Sequence, residues 1–274
     1  MKKILVPVDF SKASENAVLS AYEIAKKTNA ELHFLHLIKT KKDLKIKSNS
    51  EVEKYPDVTK QLDVASKKMK ALQEQFSDAK TFVHYTYNNK LSAILGDIEN
   101  LNPDLLVISA FGVSGRNDMV IGSVAKIIIR NANCPVLTVK NKVVKKWENV
   151  LFASDFKEER EYFTPSFKQL VNDLDLHLQL VFVNTPTYFK TTDVMELKMQ
   201  TAIKKHKSLN CSMHIYNYHE MLDGVLSFAD REKSDIIAIA TEGRKGWSRF
   251  FNPSLTEELA LASERPVLSF NFMK

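Results

Sequence analysis

The chain has 274 residues, of which 44% are hydrophobic and 26% are charged, which is the composition of an ordinary globular protein. Its net charge of +6 could attract nucleic acid, but the densest basic cluster, residues 39–47, holds five lysines with no arginine and no aromatic side chain among them. A solvated surface loop is the better interpretation of this cluster, so we expect no nucleic-acid partner.

Two further features of the sequence bear on location. The apolar run before Asp9 is too short for a secretory signal, and no window approaches the roughly 18 apolar residues that a transmembrane helix needs. The two cysteines, Cys134 and Cys211, lie far apart without CxxC spacing, which is typical of buried thiols in a reducing compartment. We therefore expect a cytoplasmic protein with no membrane partner.

Strand and helix patterns alternate along the chain. The first apolar, β-branched run ends in Asp9, and Ser11 is placed to cap the amphipathic helix that follows. In chain order, strands are predicted over residues 2–10, 31–38, 103–112 and 134–139. Helices are predicted over residues 12–28, 58–77, 90–100 and 122–131. Strands joined by helices indicate βαβ units and a parallel sheet.

The second part of the chain repeats these patterns. Asp9 aligns with Asp155 at a shift of 146 residues, and the strand 31–38 aligns with 177–184 at the same shift. The two later strands recur at a shift of 131 residues, so the first part holds 15 extra residues, which we expect around residues 40–60. Such self-similarity indicates a tandem duplication. We predict two domains, residues 1–143 and residues 144–274.

The predicted fold is α/β, with two tandem, doubly wound domains that each contain a five-stranded parallel sheet. Apolar strands such as LLVIS and IIAIA are typical of a parallel sheet that helices cover on both faces. The last strand of each half begins beside a proline, Pro135 or Pro266, which favours an edge position. Two such edges could pair within one chain in pseudo-two-fold symmetry, and a dimer of chains stays open.

The glycines point to a ligand. Five of the seven lie in two stretches, residues 109–123 and 240–254. The first stretch follows a strand and ends at Gly122 and Ser123, where a helix begins, so amide groups, the helix dipole and a hydroxyl could meet an anion there. This predicts a phosphate-bearing ligand, with a nucleotide as the leading candidate. A turn that only packs the helix against the strand is the alternative.

The segments ILVPVDFS, ELHFLHLI, PDLLVISAFG and GSVAKIIIRNANCPVLTV, in this order, resemble the universal stress protein family. The resemblance recurs in the second half, as in tandem-domain members, and implies an adenine nucleotide alpha hydrolase-like fold. It also implies a nucleotide loop of pattern G-x2-G-x9-G-[ST]. In the first half the pattern falls on Ser109, Gly112, Gly122 and Ser123, with a serine in place of the first glycine. In the second half it falls on Ala240, Gly243, Pro253 and Ser254.

The resemblance further implies that Asp9 and Leu37 hold the adenosine of ATP, which could bind with Mg²⁺. An alternative role for Asp9 is to complement the charge of the following helix terminus. The residues of the predicted nucleotide site are Pro7, Asp9, Leu37, Ile108, Ser109, Gly112, Gly122, Ser123 and Val124. The second-half counterparts are Asp155, Val183, Ala240, Gly243 and Ser254. We expect that second site to be degraded, because Pro253 has no N–H group for a phosphate.

Three functions are compatible with these residues. The first is a stress-response regulator that binds ATP, or a related adenine nucleotide, mainly in the N-terminal domain and without dedicated turnover. The second is a nucleotide-free scaffold for dimerisation and protein contacts, which the substitutions at Ser109, Ala240 and Pro253 favour. The third is a slow ATP hydrolase. We predict no catalytic residue and no metal site, since the seven histidines show neither H-x3-H nor HExxH spacing.

Overall fold

A computed structural model of the chain describes residues 1–40, 49–88, 93–111, 121–140, 142–157, 163–204, 206, 209–241 and 253–271. The strands are β1 (Lys3–Pro7), β2 (Glu31–Lys39), β3 (Thr81–Asn88), β4 (Leu105–Ser109), β5 (Val136–Val139), β6 (Asn149–Ala153), β7 (His177–Asn184), β8 (Cys211–Asn217), β9 (Ile236–Thr241) and β10 (Val267–Asn271). The helices are α1 (Lys12–Thr28), α2 (Asn49–Val52), α3 (Pro56–Gln75), α4 (Ala93–Leu101), α5 (Ser123–Asn131), α6 (Pro165–Asp173), α7 (Thr192–Lys204), α8 (Met221–Arg231) and α9 (Pro253–Ala262). A 3₁₀ turn follows β7 at Pro186–Tyr188.

The described strands form one ten-stranded sheet in the order β3-β2-β1-β4-β5-β10-β9-β6-β7-β8. Neighbouring strands are parallel within each half, and β5 and β10 pair antiparallel. Each half is therefore a five-stranded, doubly wound parallel sheet, and the expected pairing of the two last strands within one chain is confirmed. Leu137 lies opposite Leu268, its own counterpart at the shift of 131 residues, so the local symmetry is two-fold.

The sequence patterns located most elements within a few residues. The predicted first helix agrees with α1. Five strands were predicted in each half, and the structure locates the one that had no assigned range, β3 in the first half and β8 in the second. The extra chain of the first half lies between β2 and β3. Only part of this extra chain lies around residues 40–60. Another part lengthens α3, which has 20 residues whereas its counterpart α7 has 13.

The two halves fill equivalent core positions with side chains of different size. Val6, Ala21 and Val139 of the first half align with three phenylalanines of the second half, Phe152, Phe167 and Phe270. The rings of Phe167 and Phe270 stack with centroids 4.3 Å apart. The helix on this side is also shorter in the second half, since α6 has 9 residues and α1 has 17. None of the helices in the described residues is long and apolar enough to cross a membrane.

The segment between β5 and β6 is hydrogen-bonded to the first half. The amide of Val144 donates a hydrogen bond to Ser20 Oγ over 3.0 Å, and Trp147 Nε1 donates to the Val144 carbonyl over 3.2 Å. The Trp147 side chain is buried. The predicted boundary at residue 143 lies in this segment and stays a prediction.

Replacing Ser20 with alanine tests this attachment. Ser20→Ala removes the acceptor of the Val144 amide, and a buried donor without a partner costs about 1–3 kcal/mol of unfolding free energy. The matched control is Ser66→Ala on the exposed surface of α3, which should change the free energy by less than about 0.5 kcal/mol. Urea unfolding of both variants measures the difference. Equal losses would contradict the assigned role of Ser20.

Candidate functional site

A cavity of about 480 Å³ opens at the carboxyl ends of β1, β2 and β4. The strand order reverses between β1 and β4, and such a switch point is where open α/β sheets bind ligands. Residues predicted from the sequence come together around it: Pro7, Asp9, Leu37, Ile108, Ser109, Gly122, Ser123 and Val124. Gly112 lies outside the described residues.

The first turn of α5 forms one wall of the cavity. The first bond of the helix runs from the Lys126 amide to the Gly122 carbonyl over 3.0 Å. The amides of Ser123, Val124 and Ala125 precede that bond, so they have no acceptor within the helix. Three such amides and the positive end of the helix dipole make this wall suited to an anion.

Gly122 does not act as the sequence suggested. Its amide donates to the Ala110 carbonyl over 2.9 Å, so this N–H closes the loop and does not face an anion. Its φ of −58° is also open to any residue. The reason given for degradation at Pro253 is therefore wrong, because the N–H group that this proline lacks is not a phosphate donor at the aligned Gly122.

Ser109, which replaces a pattern glycine, also has a partner within the loop. Its Oγ donates to the Phe111 carbonyl over 2.7 Å. The hydroxyl thus stabilises the turn that follows β4. Because this hydroxyl donates within the loop, it does not donate to a phosphate in the observed rotamer.

Asp9 lines the cavity and also prepares the start of α1. Its Oδ1 accepts from the Ser11 amide over 3.0 Å, and Ser11 Oγ accepts from the Ser14 amide over 3.2 Å. Phe10 between them has a φ of 61°, a conformation that costs an aromatic residue energy. Both roles considered for Asp9, helix start and cavity wall, are therefore compatible with its position.

His36 is a cavity residue that the sequence analysis did not identify. Its Nδ1 and the Val8 carbonyl are 2.6 Å apart, so Nδ1 carries the proton and donates. Its ring lies 4.7 Å from that of Phe10. Burial lowers the pKa of His36, which keeps the ring neutral at physiological pH. The only signal in the sequence was its place beside Leu37 at the end of a strand.

The second-half counterparts are more enclosed than the first-half residues. Asp155, Val183 and Ala240 are buried, with exposures of 7%, 1% and 0%. The aligned residues of the first half are each partly exposed: Asp9, Leu37 and Ser109. Lys157 Nζ lies 3.4 Å from the Asp155 carboxylate. Gly243 lies outside the described residues, and Ser254 is in the first turn of α9.

Helix α8 closes over Val183. A Cβ added to Gly224, near the start of α8, would lie 2.5 Å from Val183 Cγ1 and 3.0 Å from Tyr218 Cβ. The absence of a side chain at Gly224 thus permits the helix to contact the strand end directly. This contact occupies the space beside the position that corresponds to Leu37 of the first half.

Comparison with known proteins identifies the family. The model of the family described as "Universal stress protein family" matches residues 1–140. The chain belongs to the universal stress protein family. A universal stress protein of Methanocaldococcus jannaschii is 30% identical over 140 residues, which are 51% of this chain and 82% of that protein.

Solved universal stress protein structures extend the likeness to both halves. The crystal structure of a universal stress protein from Archaeoglobus fulgidus superposes with a TM-score of 0.70 at 19% identity, covering 98% of this chain and 96% of that one. A structure from Pseudomonas aeruginosa described as "Putative Universal Stress Protein" gives a TM-score of 0.69 at 14% identity, covering 100% of this chain and 94% of that one. At these identities the likeness shows the fold, and the fold is that of tandem universal stress domains.

A pair of glycine variants tests the contact between α8 and Val183. Gly224→Ala should lower the free energy of unfolding by about 1–3 kcal/mol, because Val183 and Tyr218 must move. In the matched control Gly96→Ala, on α4, the described structure has no heavy atom within 4 Å of the new Cβ. The free energy of unfolding of that control should rise by about 0.5–1 kcal/mol, because alanine has a higher helix propensity than glycine. Thermal unfolding compares the two, and a stable Gly224→Ala protein would refute the close contact.

Acid should destabilise the protein. Burial lowers the pKa values of His33, His36, His84 and His214. The unfolded chain then binds more protons than the folded chain below a pH of about 6.5, so the free energy of unfolding falls as the pH drops through that window. Urea midpoints at a pH of about 7.5 and about 5.5 measure this effect. His36→Phe introduces the residue type of the aligned Phe182 and should reduce the difference between the two urea midpoints. A wild-type midpoint that does not change with pH would contradict the predicted destabilisation by acid.

Proposed function

We propose that this universal stress protein binds ATP or a related adenine nucleotide, with or without Mg²⁺, in the cavity of its N-terminal half. The nucleotide acts as a regulatory ligand in a cytoplasmic stress response, and the protein has no dedicated turnover. The observation that carries the proposal is the first turn of α5, which borders a cavity at the switch point of the sheet.

The wall at α5 suits the phosphates. The amides of Ser123, Val124 and Ala125 supply donors, and the helix dipole favours negative charge in front of them. Ser123 is exposed at this terminus, so its hydroxyl is accessible to an oxygen of the ligand. Lys39 at the end of β2 adds a positive charge to the cavity lining.

Other residues that line the cavity suit a nucleoside. Leu35, Leu37, Ile94 and Ile108 give the cavity an apolar surface on which a base could lie. Asp9 offers a carboxylate that could accept from a ribose hydroxyl or an adenine amine. A volume of about 480 Å³ falls within the usual range for small-molecule sites.

The scaffold function remains the second candidate, and two contacts favour it. The Gly122 amide and the Ser109 hydroxyl, which a phosphate loop could have used, are both bonded within the loop. The burial of Asp155, Val183 and Ala240 also favours a structural contribution from the second half. Slow ATP hydrolysis stays a prediction from the sequence alone.

Thermal unfolding with and without millimolar Mg-ATP tests the proposal. A ligand at about 100 times its Kd should stabilise the wild type by about 2.7 kcal/mol. Gly122→Val adds a side chain at the cavity wall without backbone strain, since a φ of −58° suits valine, and should abolish the stabilisation. Gly96→Val makes the same change outside the cavity lining and should retain it.

Each outcome of this experiment has a distinct meaning. No stabilisation of the wild type would favour the scaffold. Equal stabilisation of the wild type and both variants would place the nucleotide away from this cavity. Release of phosphate at a rate that Gly122→Val lowers would instead support the hydrolase.

A further inference from the structure

A second concavity, of about 580 Å³, lies beside the cavity. We call it the α3 groove; it runs between α3 on one side and Phe10 and the end of β2 on the other. His36 and Gln61 line both the groove and the cavity, so the two sites share a wall. The groove nevertheless has its own floor and its own charges.

The floor of the α3 groove is apolar. Ile38 and Ala65 are buried beneath it and belong to a small hydrophobic cluster with Val52 and Val58. Val64 lines the groove with 53% of its surface exposed. Single exposed apolar residues are common, but this one lies in a concave surface that continues to the ring of Phe10.

Positive charge borders this floor. Lys60, Val64 and Lys68 are spaced by four residues, so they form one stripe along α3. Lys68 Nζ lies 4.9 Å from the centroid of the Phe10 ring. Within the described structure neither lysine pairs with a carboxylate, whereas Asp57 is the acid at one end of the groove.

Phe10 is held in place at an energetic cost. Its φ of 61° is rare for an aromatic residue, and its ring contacts His36 on one side and the Lys68 ammonium on another. The aligned Phe156 has a φ of 47° but is fully buried. Only the first half therefore presents this ring to a groove.

We propose that the α3 groove binds a small organic anion with an aromatic body. The aromatic body lies on Val64 and Phe10, and the acid group, a carboxylate or a sulfonate, lies beside the Lys68 ammonium, whose Nζ is 4.9 Å from the centroid of the Phe10 ring. Burial of the flat apolar face of the ligand supplies part of the affinity. Attraction to the ammonium groups of Lys60 and Lys68, which pair with no carboxylate among the described residues, supplies the rest. The proposal does not rest on nucleotide binding in the neighbouring cavity, since Phe10, Val64, Lys60 and Lys68 line the groove and not the cavity.

Titration with 8-anilinonaphthalene-1-sulfonate, followed by fluorescence, tests the proposal on the full folded chain. Val64→Glu should raise the Kd of the probe about tenfold or more, and Lys68→Gln should raise it a few-fold. Two controls should keep the wild-type Kd. Lys67→Gln changes a neighbouring exposed lysine that does not line the groove, and Val194→Glu changes an exposed valine of α7.

The proposal fails if the wild type does not bind the probe, or if all four variants bind it equally. Loss of binding in Val194→Glu with retention in Val64→Glu would also overturn it, since the probe would then occupy α7. Gly122→Val should still bind the probe, and Val64→Glu should still be stabilised by Mg-ATP. Failure of the groove and failure of the nucleotide site are thereby distinguished.

Discussion

The antiparallel pairing of β5 with β10 is the contact on which the rest of the architecture depends. Each half ends in a strand whose outer edge would otherwise expose unpaired backbone groups. Leu137 faces its own counterpart Leu268, so the duplicated sequence supplies both partners of a symmetric contact. Helices α5 and α9 meet over this junction, where Arg130 Nε and Glu257 Oε1 are 2.5 Å apart. One continuous sheet then fixes the orientation of both halves.

The two halves of this symmetric sheet differ at the carboxyl ends of their strands. The first half keeps a cavity between β1 and β4, whereas the second half buries Asp155, Val183 and Ala240 at the aligned positions. Gly224 permits α8 to close over Val183, and three phenylalanines fill core positions that hold smaller residues in the first half.

In the first half, a few residues serve two neighbouring concavities. The backbone at Phe10 turns sharply after Asp9, which directs the carboxylate to the cavity lining and the ring to the α3 groove. His36, neutral because burial lowers its pKa, lies in the wall between them. The two sites differ in how they attract an anion. The cavity uses amides at a helix terminus, whereas the groove uses lysine side chains over an apolar floor.

The sequence by itself determined the alternation of strands and helices, the duplication and the parallel halves, and its resemblance to the universal stress protein family indicated which residues meet at the cavity. Apolar periodicity and the repeat are local or self-comparing signals, so no knowledge of distant contacts was needed. The sequence did not locate β3 and β8, because these strands lie at the outer edges of the sheet and are only partly buried. Only the tertiary structure decided that the Gly122 amide and the Ser109 hydroxyl are used within the loop, that His36 lines the cavity, and that α8 closes over Val183. Those outcomes depend on which groups approach one another across the fold, and a pattern of residue types does not contain those distances.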